Sequence, residues 1–149
     1  MPKTIGYMLT WTTYGTWLQG EVKGFVKNGK RRGENAALRK RNAQNLKGRV
    51  VKFSRKERAI VREAILEAAK RSRRKIHAIA VYSNHVHVVA EYLDVPTGVV
   101  VGCYKSAARV ALKAHGFVGR VWTRGYDKRY CFDEKALQDR IDYVRRHGS

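Results

Sequence analysis

The chain has 149 residues, 44% of them hydrophobic, which is enough for one domain with a buried core and no disulfide support. Its 32 Lys and Arg residues outnumber 12 Asp and Glu, and the formal net charge of +20 predicts a polyanionic partner, with nucleic acid the first candidate. No apolar run approaches the length of a membrane span and the start lacks the apolar stretch of a secretory signal, so we expect a cytoplasmic protein without a membrane anchor.

The first half of the chain predicts a strand, a basic segment and a helix. Ile5–Thr13 is rich in aromatic and β-branched residues, which is typical of a strand. The segment from about 21 to 49 is polar, basic and interrupted by glycines, so it is either a disordered insertion or an arm that grips nucleic acid. Ser54 and Glu57 have the spacing of a capping box, and apolar residues follow at helical spacing to about Arg73.

The second half predicts two helices and four short strands. We expect the strands at 76–83, 86–92, 120–122 and 129–132, the first two joined by a tight turn, and the helices at 97–115 and 134–147. Without the basic insertion the order begins βαββαβ, which indicates an α+β fold of the ferredoxin-like type, an antiparallel sheet with helices on one face, followed by a C-terminal helix. The whole of 1–149 is then a single domain with an insertion at about 21–49.

Two histidines in the second of these strands are candidate metal ligands. His85 and His87 are two residues apart, so in a strand both imidazoles point to the same face. Val86 and Val88 then point the other way, into the core. Two neutral imidazoles on a polar face are spaced to bind one metal ion. On these residues alone, a pair of exposed histidines that binds no metal remains the alternative.

The last helix offers a candidate nucleophile and a third ligand. Tyr143 and His147 are four residues apart, which places both on one face of a helix. The alternative is that Tyr143 packs its ring in the core with Ile141 and Val144. In that case His147 lies near the frayed terminus, where an imidazolium interacts favourably with the helix dipole.

Several segments together resemble the REP-associated tyrosine transposases, which are single-tyrosine HUH transposases. They are AVYSNHVHVV at 80–89, VWTRGY at 121–126, the helix sequence at 133–144, and the opening TWTTYGTW at 10–17. The similarity covers nearly the whole chain except the basic stretch at about 27–49. The resemblance implies a ferredoxin-like sandwich in which His85 and His87 bind the metal and Tyr143 is the nucleophile.

The third metal contact departs from this family pattern. Relatives often have an amide side chain about one turn after the tyrosine, and here His147 occupies that place. Imidazole suits softer metals than the oxygen-preferring Mg²⁺. The expected cofactor is a divalent ion, Mg²⁺ or Mn²⁺, and the identity of the metal depends on His147.

The activity implied by the resemblance is cleavage and rejoining of single-stranded DNA at hairpin-forming repeats. Tyr143 would attack the phosphodiester, release a 3′-hydroxyl and keep a 5′-phosphotyrosine link. The resemblance also implies a homodimer that acts at the nucleoid. The sequence identifies no general base for the tyrosine.

DNA contacts are expected from basic and aromatic residues outside the histidine pair. Lys105 and Arg109 stand at i and i+4 on the second helix, and Arg124 lies in a turn, so all three are candidates for phosphate contacts, though each is also typical of a solvated surface. Tyr126 and Tyr130 are candidates for stacking on an unpaired base, or for the nucleophile itself. Two rival functions remain: a non-catalytic RNA- or DNA-binding module, although the RNP aromatic pattern is missing, and a domesticated transposase that binds hairpins without cutting.

Overall fold

A computed structural model describes residues 3–16 and 50–147, with the side chain of residue 147 outside that description. The predicted insertion at 21–49 therefore lies outside the described residues. The strands are β1 Gly6–Thr12, β2 Ile76–Val81, β3 His85–Glu91 and β4 Asp127–Cys131. The helices are α1 Arg55–Arg71, α2 Thr97–Ala114 and α3 Glu134–His147.

The four strands form one antiparallel sheet in the order β2-β3-β1-β4. Along the chain the order is βαββαβ followed by α3. This confirms the predicted α+β ferredoxin-like sandwich with a C-terminal helix. It also puts β1 and β3 in the middle of the sheet, with β2 and β4 at its edges.

The larger hydrophobic core lies between one face of the sheet and the helices α1 and α2. Trp11 is fully buried there, stacked on Tyr104 at 6.4 Å between ring centroids and edge-on to Trp122 at 6.1 Å. Alternate residues of the central strands point into this core: Tyr7, Leu9 and Trp11 from β1, and Val86, Val88 and Ala90 from β3. The predicted inward orientation of Val86 and Val88 is therefore confirmed.

The C-terminal helix α3 covers the opposite face of the sheet. Its Leu137, Ile141 and Val144 follow helical spacing and pack on Met8 and Val89, in a second core that also contains small residues of β2. The helix approaches closely at Gly6. A Cβ at Gly6 would lie 2.7 Å from Leu137 Cδ1 and 2.9 Å from the Ala90 carbonyl oxygen, so a larger residue would force the Leu137 side chain and the backbone near Ala90 to shift.

The segment predicted as a strand at 120–122 is instead a loop fastened to the end of β1. Trp122 makes one isolated bridge with Thr13, and Tyr14 N–H donates to the Val121 carbonyl at 2.7 Å. The Thr123 hydroxyl donates to the Thr13 carbonyl at 2.7 Å. These bonds replace the regular hydrogen bonds of a strand pair, so the segment 120–122 does not extend the sheet despite its β-favouring residues. No helix in the described part of the chain is long and apolar enough to span a membrane.

The capping box predicted at the start of α1 is present. The Ser54 N–H donates to Glu57 Oε1 at 2.8 Å, and the Glu57 N–H donates to Ser54 Oγ at 3.1 Å. We expect Ser54→Ala to lower the free energy of unfolding by about 1 kcal/mol, as measured by urea denaturation, because an N-terminal amide of the helix loses its acceptor. Ser72→Ala is the control, since the cap at that end of α1 uses the backbone N–H. Equal losses in the two variants would contradict a role for the box.

Candidate active site

The two histidines of β3 lie side by side on the face of the sheet that α3 covers. His85 is opposite Thr12 and His87 is opposite Thr10 in the ladder with β1. Their ring centroids are 4.8 Å apart and the ring planes are inclined by 76°. Both residues are only partly buried, because α3 covers this end of the sheet incompletely. The strand period thus produces the shared polar face that the sequence predicted.

Each imidazole has a hydrogen-bond partner at Nδ1. His85 Nδ1 lies 2.8 Å from Asn84 Oδ1, and because a carbonyl oxygen only accepts, Nδ1 is the donor. His87 Nδ1 lies 2.7 Å from the Thr10 hydroxyl oxygen. Hydrogen bonds of this kind fix the tautomer and ring orientation of a metal-ligating histidine. The Nε2 atoms are left as the candidate metal-binding atoms.

The environment keeps both rings neutral. Burial lowers the pKa of His85, and burial together with the neighbouring His85 ring and Arg140 lowers the pKa of His87 to about 4. Near pH 7 an imidazole with such a pKa is uncharged and its second nitrogen keeps a lone pair. Neutral imidazole is the form that binds a metal ion.

Tyr143 of α3 lies beside His87. Its ring centroid is 6.2 Å from that of His87, with the planes inclined by 73°. The neighbouring Ile141 and Val144 are buried against the sheet, whereas Tyr143 is 41% exposed. The alternative in which the tyrosine ring packs into the core therefore does not describe its position. The start of α3 is fixed by Asp133, whose Oδ1 accepts the Ala136 N–H at 2.7 Å.

A second tyrosine, which the sequence analysis did not single out, completes the cluster. Tyr82 stacks on His85 with centroids 4.3 Å apart and planes inclined by 14°, and it meets His87 edge-on at 5.8 Å. Burial, and then the nearby Tyr143, raise the pKa of Tyr82. Its N–H donates to the His85 carbonyl across a two-residue turn at 2.8 Å, so the two residues face each other as a cross-strand pair. The tight turn predicted before His85 is the sequence feature that could have indicated this pairing of Tyr82 with His85.

Asp127 is another residue that sequence reasoning missed. It is opposite Thr10 in the ladder between β1 and β4, on the same face as His87, and its charge acts to raise the pKa of His87. Its carboxylate is paired with Arg129 at 3.2 Å. Only the pairing of β4 with β1 brings this residue near the histidines, since 40 residues of sequence separate it from His87.

A complete metal-binding set is not present among the described side chains. No group of three or more His, Cys, Asp or Glu that could hold a metal ion occurs over residues 3–16 and 50–146. His147, the predicted third ligand, lies at the end of α3, and its side chain is outside the described residues. The two imidazoles still fit a metal ion by chemistry, because both are neutral and both have Nδ1 engaged elsewhere.

The residues predicted to contact DNA are divided between two locations. Lys105 and Arg109 lie on α2, across the sheet from the histidine pair. Arg109 is exposed, whereas the Lys105 ammonium donates to the carbonyls of Thr123 at 3.0 Å and Gly125 at 2.8 Å. Lys105 therefore holds the 121–126 loop to α2.

The loop itself carries the other two candidates. Arg124 is exposed next to Thr123, whose N–H donates to the Thr12 carbonyl, and Thr12 is the ladder partner of His85. The structure therefore puts Arg124 at the same end of the sheet as the histidines. The Tyr126 hydroxyl is 2.7 Å from the Thr97 hydroxyl, and its partly buried ring packs on the larger core, so both parts of the side chain have partners within the protein.

The sheet order and helix placement define the ferredoxin-like class of fold, and two solved structures are similar to it. One is a REP-associated tyrosine transposase bound to a REP hairpin, with a TM-score of 0.59 and 12% identity over 95% of this chain. This chain spans 65% of the length of that structure. The other is a candidate transposase from Deinococcus radiodurans, with a TM-score of 0.49, 13% identity, and coverage of 99% of this chain and 93% of that one.

At such identities the likeness shows the fold alone. No protein-family model matches the chain, and no curated protein matches it. One fold hosts many chemistries, so the function depends on the residues of the site.

Proposed function

We propose that this protein cleaves and rejoins single-stranded DNA, with Tyr143 as the nucleophile and His85 and His87 as metal ligands. The observation that carries the proposal is the convergence of these three side chains, from β3 and α3, on one polar face of the sheet. A phenol beside two neutral imidazoles provides an oxygen nucleophile and nitrogen ligands within one cluster. The partner in this proposal is hairpin-forming DNA, and the protein acts as a homodimer at the nucleoid.

The proposed reaction is a transesterification. The Tyr143 hydroxyl loses its proton, its oxygen forms a bond to phosphorus, and the bond from phosphorus to the 3′ oxygen breaks. The departing oxygen takes up a proton and becomes a 3′-hydroxyl. The 5′-phosphotyrosine bond that remains is a phosphodiester of similar energy, so a second 3′-hydroxyl can reverse the step and rejoin DNA. The partial exposure of Tyr143 gives a DNA strand access to it.

His85 and His87 would hold the divalent ion, Mg²⁺ or Mn²⁺, through Nε2. Such an ion, when bound, supplies positive charge that stabilises the phosphate as negative charge develops on its oxygens. Asn84, Thr10 and Tyr82 fix the two rings in place around that position. Completion of the ligand set falls to His147 in this proposal, since it occupies the place of the amide side chain that relatives often have there.

Electrostatics favours a nucleic acid substrate. The net charge of +20 draws in a polyanion, and binding releases the counterions condensed on it. Exposed Arg124, at the histidine end of the sheet, is the best placed of the predicted phosphate contacts. One of the similar solved structures is itself bound to a REP hairpin, which favours hairpin DNA over other polyanions as the substrate to test.

The test is formation of a covalent protein–DNA adduct. The protein is incubated with end-labelled single-stranded hairpin oligonucleotides and Mn²⁺, and the products are separated under denaturing conditions. A band in which protein and label migrate together, lost when EDTA removes the metal, is the expected result. Hairpin binding with no adduct under any metal would replace the enzyme with the rival function, a non-catalytic binder of hairpin DNA.

The stacking of Tyr82 on His85 has a measurable consequence within this proposal. We expect Tyr82→Leu to weaken Mn²⁺ binding by about 10-fold or more, since loss of groups that orient a ligand typically costs 10–100-fold in affinity. Tyr82→Phe keeps the ring and is expected to bind Mn²⁺ like the wild type. Isothermal titration calorimetry measures both. A loss in Tyr82→Phe equal to that in Tyr82→Leu would assign the effect to the hydroxyl instead of the stack.

A further inference from the structure

A strip of partly exposed aromatic rings crosses the sheet from the end of β3 to the edge strand β4, away from the histidine site. Tyr130 and Phe132 are 42% and 51% exposed, and Tyr92, at the end of β3, is 36% exposed. Tyr92 and Tyr130 flank the fully buried Tyr7, with centroids 6.2 and 6.3 Å from it, and Phe132 lies 6.4 Å beyond Tyr130. We call Tyr92, Tyr130 and Phe132 the aromatic strip.

The aromatic strip and the histidine site use opposite faces of the sheet. Tyr130 is the ladder partner of Tyr7 and Lys128 is the partner of Leu9, and both β1 residues point into the core under α1 and α2. His87 points to the α3 face. The strip is therefore not part of the proposed catalytic cluster, and nothing in the chemistry of Tyr143 accounts for three exposed rings there.

We infer that the aromatic strip binds single-stranded nucleic acid by stacking on its unpaired bases. Planar rings suit a partner that is itself planar, because every base has a face that stacks on an aromatic side chain whatever its sequence. A cation stands beside the rings, with Lys128 Nζ 5.6 Å from the centroid of Tyr130, where it can meet a phosphate. The surplus of positive charge over the whole chain favours the same partner.

A second copy of the chain fits this edge less well. β4 is an edge strand, and an edge strand is open to pairing with a strand of another molecule. Antiparallel pairing of β4 with itself would bring Lys128 and Arg129 of one copy close to the same residues of the other. Like charges opposite each other across a ladder are destabilising, and lysine on an edge strand opposes such pairing.

The strip lies within reach of a strand that enters the histidine site. Asp127 and His87 are both ladder partners of Thr10, so they lie at the same position along the strands. Tyr130 lies three residues further along β4. Three residues of an extended strand span about 10 Å. Nucleotides flanking those at the histidine site could pass over the β4 edge to the strip. Binding at the strip does not depend on cleavage, so its test stands apart from that of the proposed function.

The experiment compares a probe that carries bases with a probe that has the same backbone but lacks them. Fluorescence anisotropy measures the affinity of the full chain for a labelled 15-mer of thymidine and for an abasic 15-mer of equal charge. The double variant Tyr130→Leu/Phe132→Leu is expected to bind the thymidine probe about tenfold more weakly or worse, since stacking contributes about that much per base, and to bind the abasic probe as the wild type does. Lys128→Met is expected to weaken both probes.

Val110→Ala, which removes exposed apolar surface from α2, is the matched control and should change neither affinity. Wild-type protein irradiated with a 5-iodouracil 15-mer gives a readout that needs no variant, and its crosslinks are expected on Tyr92, Tyr130 or Phe132. Crosslinks confined to other residues, or a double variant with wild-type affinity for both probes, would overturn the inference. So would a double variant that changes only self-association in sedimentation, because the strip would then be an interface between copies.

Discussion

Tyr143→Phe is expected to abolish the covalent adduct with hairpin DNA completely, because the phenylalanine ring has no oxygen to form the bond to phosphorus. The substitution keeps the ring beside His87 and leaves Ile141 and Val144 in place, so the fold and the hairpin affinity should not change. The measurement is the labelled adduct under denaturing conditions together with anisotropy for hairpin binding. Reduced binding without loss of the adduct would contradict the proposed nucleophile.

Two other tyrosines serve as matched controls for this experiment. Tyr126→Phe and Tyr130→Phe each remove one hydroxyl from residues that the sequence also allowed as nucleophiles. We expect both to form the adduct as the wild type does, because the Tyr126 hydroxyl is hydrogen bonded to Thr97 and Tyr130 points to the other face of the sheet. An adduct that survives Tyr143→Phe and disappears in either of these variants would move the nucleophile.

His87→Ala is expected to remove high-affinity Mn²⁺ binding and, with it, the adduct. Loss of a contact that supports a metal ligand typically costs about 10–100-fold in metal affinity. Loss of the ligand itself should cost at least as much. Calorimetry with Mn²⁺ alone separates binding from catalysis. The Thr10 hydroxyl loses its partner in this variant, so circular dichroism and thermal unfolding should be compared with the wild type before metal affinity is interpreted.

His115→Ala is the control for the loss of one histidine that is not part of the β3 pair. His115 is exposed at the end of α2, where its Nδ1 lies 2.9 Å from the Ala111 carbonyl, and α2 packs on the face of the sheet opposite the β3 pair. Removing it should leave Mn²⁺ affinity and the adduct unchanged. If His87→Ala and His115→Ala bind Mn²⁺ equally well, the ion is held elsewhere and the role given to His87 is wrong.

The sequence predicted much of the fold because its patterns are local. Alternation in β3 determines that His85 and His87 share a face while Val86 and Val88 enter the core, and the structure agrees. The capping box at Ser54 depends on residues three positions apart, so it too could be predicted. The failure at 120–122 has a different origin. Its β-rich residues bond through side chains and single bridges to Thr13 and Tyr14, contacts that local propensity does not encode.

By itself, the sequence determined the βαββαβ order, the pairing of two histidines on one face, and a charge that calls for a polyanion. Only the tertiary structure decided which residues surround the histidines: Tyr143 from α3, Tyr82 across a turn, and Asp127 from β4. It also decided that the Lys105 ammonium donates to backbone carbonyls and that the aromatic strip is exposed on the face opposite the histidines. The physical reason is that periodicity sets the direction of a side chain along its own element, whereas long-range strand pairing and helix packing set its neighbours.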